Sequence, residues 1–161
     1  MDLLDRQLRH DQWATAQLLE LSRGLTDEQL DQPFDIGHQS LRATFEHMIY
    51  YVGFWTAYMT GQPVPERSDD HALVALIDHH ERTYPIFAAL ARQLRDEQRL
   101  DDTFLDHYGE RVTCGATILH VIVHNVQHRA EARHILERLG VPDLPEGDPQ
   151  EWEWAHEPHG A

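Results

Sequence analysis

Residues 118–134 read "ILHVIVHNVQHRAEARH" and carry His120, His124, His128 and His134. At roughly 100° per residue, four-residue steps put the first three imidazoles on one side of a helix, within about 80° of one another. Leu119, Val123, Val126 and Ala130 flank this column on one side, and Val121, Ala132, Ile135 and Leu139 on the other. The column is therefore expected within or beside a buried face. A buried imidazole needs a partner at its ring nitrogens, or it costs the desolvation of an unpaired polar group. One such ring is readily satisfied by a carbonyl or a carboxylate. Three in succession call for a shared partner, and a divalent metal ion is the economical one. His124 and His128 stand at the i, i+4 spacing at which two ring nitrogens converge on one ion at ~2.0–2.1 Å. Two ligands hold a metal poorly, and spacing leaves both His120 and His47 open as the third. His47, in "FEHMIYYVGFW", is the stronger candidate because its helix edge is shared with Tyr51, Phe54 and Tyr58, an aromatic edge suited to facing another helix. The plain alternative is a set of core histidines satisfied by their neighbours, which a chain with 13 histidines can produce by chance.

Helical periodicity dominates the elements that must position these groups. Residues 3–22 place Leu4, Leu8, Trp13, Leu18 and Leu21 at helix-compatible spacings and stop at Gly24. Thr26 opens "TDEQL" as a capped short turn, and Pro33 breaks it. A second long helix is expected from about Ser40 to Met59, with Leu41, Phe45, Met48, Val52 and Trp55 as its apolar stripe and "TGQPVP" as its stop. A third covers about 70–98, where Pro85 marks a bend or a break, and a fourth covers about 115–139, ending at Gly140-Val141-Pro142. Between the last two, "DDTFLDHYGERVTC" reads as a β-hairpin or a long crossover. The expected fold is all-α, a four-helix bundle over residues 1–145, the architecture that builds metal sites from inward side chains. Residues 146–161 form an acidic, Pro-rich tail whose Trp152 and Trp154 are expected to pack back on the body and whose last residues are expected to be loose.

The totals exclude several functions. A net charge of −15, from 13 Lys+Arg against 28 Asp+Glu, offers no basic surface for nucleic acid or for anionic lipid heads. The longest greasy run, "MIYYVGFWTAYM", falls short of the ~20 residues a membrane span requires. The start "MDLLDRQLRHDQW" reaches charge at once, which predicts no export, and the single cysteine fits a reducing cytoplasm.

"WATAQLLELSRGLTDEQL", "FDIGHQSLRATFEHMIYYVGFW" and above all "HVIVHNVQHRAEARHILERLGVP" resemble the DinB/YfiT-like metalloenzymes, metal-binding four-helix bundles unrelated to the translesion polymerase that shares the name. The resemblance spans nearly the whole chain. It implies a metal triad of His47, His124 and His128, with His120 a neighbour and water completing the shell. Where the family often has HRGQ, this chain has His128-Arg129-Ala130-Glu131. Glu131 is then an acceptor that orients an imidazole, a general base, or a salt-bridge partner, with the structural roles favoured.

The resemblance implies thiol S-transferase chemistry, in which the ion activates a low-molecular-weight thiol toward an electrophile, or hydrolysis or isomerisation at the same site. Imidazole ligands suit Zn²⁺ or Ni²⁺. A structural or stress-associated bundle that binds metal without catalysis is the contrasting reading, and a homodimer is the expected assembly. Cys114 reads as a small packed residue before a nucleophile, and Arg129 and Arg133 as partners of surface carboxylates before anchors for an anionic substrate. His10, His38, His71, His79, His80, His107 and His134 carry no motif, with His79-His80 expected to be a solvated patch, and His156 and His159 fall in the tail.

Overall fold

A computed structural model describes residues 1–156. His159 and the last residues of the tail lie outside the described residues. The chain is mostly helical with one small sheet. Helix α1 spans Leu3–Leu21, capped by the Asp2 carboxylate on the Asp5 amide, and a 3-10 turn at Ser22–Gly24 follows it. The short α2, Asp27–Leu30, opens with the reciprocal Thr26–Gln29 capping box that the sequence encodes. Helix α3, Leu41–Thr60, starts at the Ser40 cap and ends where Gly61 adopts φ +66°, a left-handed conformation that glycine takes without steric cost. Helix α4, Leu73–Asp96, continues through Pro85 without a break. Pro85 is exposed, so water can satisfy the carbonyl that its missing N–H leaves unpaired.

The segment before the last long helix is a hairpin. Strands β1, Thr103–Leu105, and β2, Arg111–Thr113, pair antiparallel with Phe104 opposite Val112. The Asp106 carboxylate accepts from the amides of Tyr108 and Glu110 and holds the turn. Helix α5, Cys114–Arg138, follows directly from the Thr113 cap, and α6, Pro149–His156, closes the described chain. Trp152 is buried, whereas Trp154, expected to pack back, is 67% exposed. Residues two apart on a helix point to nearly opposite sides, so α6 can bury only one of them.

The four long helices enclose two apolar clusters. One gathers Leu18, Leu41, Phe45, Ile49, Ile135 and Leu136; the other gathers Leu8, Tyr84, Phe87, Cys114, Ile118 and Val121. Along α1 and α5 alike, a buried polar knot falls between them. Asp11, wholly buried, accepts from Tyr84 Oη at 2.7 Å, from Asn125 Nδ2 at 2.8 Å and from Arg129 Nη1. Arg129 is thus the partner of a buried carboxylate and not of a surface one. Through this one carboxylate α1 is tied to both α4 and α5. The His79-His80 pair also departs from expectation. His80 is buried at 4% exposure, with Nε2 against the Gln12 carbonyl, and burial lowers its pKa.

Candidate metal centre

Helix α5 turns Thr117, Val121, Asn125, Arg129 and Ala132 inward, and the histidine column lies at the edge of that face. Its expected apolar flank is in fact outside: Leu119, Val123 and Val126 are 54%, 46% and 48% exposed. The column therefore borders the core where α5 meets α3. There His124 and His128 come against His47 of α3, with ring centroids 4.9 and 4.7 Å from the His47 ring and 4.4 Å from each other. His47 Nε2 lies 2.8 Å from His124 Nε2. His120 stands outside this group, exposed, with its ring edge-on to Trp55.

A fourth imidazole joins them from a loop. His38 stacks on His47 with centroids 3.7 Å apart and lies 5.0 Å from the His128 ring. Ligand nitrogens of His38, His47 and His128 all lie within 4.8 Å of one another, a group that could hold a metal ion. The loop that presents His38 turns at Gly37 and Gln39, with φ +53° and +70°. It is fastened to α5 twice: Arg138 pairs with Asp35 and covers the Phe34 ring, and Gly37 packs against the Glu131 carboxylate so tightly that a Cβ there would collide with it. Periodicity finds helix faces, and His38 belongs to none. The only sequence signal for it was the abundance of histidines.

His128 Nδ1 donates to Glu131 Oε2 at 2.7 Å, which leaves Nε2 as its ligand nitrogen. Burial, reinforced by His38, His124 and His128, pushes the His47 pKa down to about 3. Burial and the neighbouring His128 push His124 down to about 4, and burial lowers His38 as well. At neutral pH these three rings are therefore unprotonated, the form that a metal requires. Their donor set is nitrogen only, which suits borderline divalent ions.

His47 and His124 also line a cleft of about 500 Å³, together with Tyr51 and Trp55 and with His107 and Tyr108 of the hairpin turn. The hairpin thus shapes the approach to the histidines. Cys114 is buried in an apolar cluster, and burial pushes its thiol up, the reverse of what a nucleophile needs. Among the described residues no helix is long and apolar enough to cross a membrane.

Four imidazoles from a loop, α3 and the HxxxH of α5 lie together in one cluster, and the DinB family profile matches residues 2–158, nearly the whole chain. The chain belongs to the DinB family. No curated protein matches it. For this DinB protein the profile and the histidine group together support metal association.

Proposed function

We propose that this DinB-family chain is a divalent-metal enzyme of the thiol S-transferase type, built as a four-helix bundle over residues 1–145 with residues 146–161 as an accessory tail. The observation that carries this reading is the aromatic cleft of about 500 Å³ opening on His47 and His124, which gives a small molecule direct access to the histidines. In this reading His47, His124 and His128 would hold Zn²⁺ or Ni²⁺, and Glu131 orients His128 from behind through Nδ1. When bound, the ion lowers the pKa of a low-molecular-weight thiol and raises its thiolate fraction at neutral pH. The protein's own part is to bind and orient. Tyr51 and Trp55 stack the substrate's apolar portion, and His107 and Tyr108 of the hairpin turn border its approach.

His38 favours a second reading. A fourth imidazole at this distance could close a tetrahedral shell, and closed shells belong to structural sites whereas open ones belong to catalytic sites. The two readings part on His38→Ala: an enzyme keeps or gains turnover, and a structural site loses metal and stability. The catalytic reading is tested by following loss of glutathione, bacillithiol or mycothiol with a bimane electrophile. Metal-dependent turnover with one of them supports it, and none with any leaves the binding protein ahead.

For assembly, the reading is a cytoplasmic homodimer. Leu119 and Val123 are exposed on α5, where no Asp, Glu, Lys or Arg occurs between Cys114 and His128. In a chain of net charge −15 such a face is where two copies can approach with least repulsion.

A further inference from the structure

A second cavity, of about 610 Å³, lies between α1, α5 and the 145–149 segment. Its lining residues Ile122, Val126, Arg129 and Arg133 project roughly half a turn round α5 from His124 and His128, so it is a separate site. Most of the wall is apolar: Ala14 and Leu18 of α1 face Ile122 and Val126 of α5. The polar end is Arg129, whose side chain is 8% exposed. Its Nη1 is taken up by Asp11 and Thr15. Among the described residues its remaining guanidinium nitrogens make no hydrogen bond, and they stay accessible to solvent, with Arg129 lining the cavity. A guanidinium with N–H donors left over at the head of an apolar chamber can receive the acceptor of a ligand in place of water.

Arg133 stands beside it, tethered by Nε to the Pro145 carbonyl and by Nη1 to Glu137. The carboxylates at the rim limit what can enter. Asp148 spends Oδ1 on the Gln150 and Glu151 amides but, with Glu146, still lines the cavity. A dianion such as a phosphate monoester would meet Glu146 and find few free donors. A single carboxylate matches the planar fork of an arginine, and the wall behind it suits an aliphatic or aryl chain.

We propose that this cavity is a second ligand site that binds an amphiphilic monocarboxylate, its head group on Arg129 and Arg133 and its chain against Ala14, Leu18, Ile122 and Val126. The site does not depend on the metal centre.

The test is calorimetric titration of the full, metal-stripped chain with octanoate, with 1-octanol and acetate as controls for chain and head group. The expected result is octanoate binding that exceeds either control by roughly tenfold or more. Val126→Trp fills the chamber from a partly exposed position. It should abolish binding while the helical circular dichroism stays unchanged. Arg133→Gln should weaken binding, and His124→Ala should leave it intact. Octanol binding as tightly as octanoate, unaltered binding in Val126→Trp, or binding lost in His124→Ala would each overturn the proposal, as would the absence of octanoate binding.

Discussion

Glu131 is the residue through which the histidine site can be weakened without touching a ligand. Its carboxylate accepts from His128 Nδ1 at 2.7 Å, with side-chain exposures of 14% for His128 and 28% for Glu131. Removing such an acceptor from behind a ligating imidazole costs about 10–100-fold in metal affinity, because the ring loses both its tautomer and its orientation. Glu131 is partly open to water, which can replace one acceptor, so the lower half of that range applies: about 10–30-fold for Glu131→Ala. Glu131→Gln keeps an acceptor oxygen and loses only the charge, so its effect should be smaller, about threefold to tenfold. The assay is competition for Zn²⁺ with a chromogenic chelator at neutral pH, with His128→Ala as the reference for full loss of the ring. Wild-type affinity in Glu131→Ala would refute the reasoning, since the 2.7 Å contact would then do nothing for the ligand.

Further predictions follow from the same contacts. Gly37→Ala would force φ +53° on a residue with a Cβ and drive that Cβ into the Glu131 carboxylate; urea unfolding should show a loss of about 1–2 kcal/mol or more, with weakened metal binding alongside. Asp11→Ala leaves Arg129 charged and buried without its partner, a loss of about 3–5 kcal/mol, and the double change Asp11→Leu with Arg129→Met should recover only part of it, because Tyr84 and Asn125 still lose their acceptor. For His80 the folded pKa lies below the usual 6.5, so the unfolded chain takes up the proton first as pH falls. Its contribution to stability is complete above about 6.5 and is lost on acidification. The urea midpoint of His80→Gln should accordingly fall less than that of wild type between neutral and mildly acidic pH. Cys114 should resist iodoacetamide in the folded chain and react on denaturation, given its burial and raised pKa.

The long helices were legible from their ends: the start near Ser40, which proves to be a cap, and the stop at "TGQPVP", where Gly61 turns left-handed. Their apolar faces also repeat at helical spacing. The direction in which α5 faces was less legible. Its outer side is as apolar as its inner one at Leu119 and Val123, so hydrophobicity did not distinguish core from surface. The inward positions are instead marked by Asn125 and Arg129, polar residues whose burial depends on Asp11 more than a hundred residues upstream. His47 could be picked out from its aromatic helix edge and from the family resemblance. His38 could not, because it is set by two left-handed loop residues and by the fit of Gly37 on Glu131, contacts that exist only after α5 has docked.

The central claim, that these imidazoles hold one divalent ion, is tested most directly by elemental analysis of the tag-free protein after native purification. The account predicts about one Zn²⁺ or Ni²⁺ per chain, lost in His47→Ala and in His128→Ala with the helical content retained. A content far below one per chain, or the same content in those variants as in wild type, would contradict it.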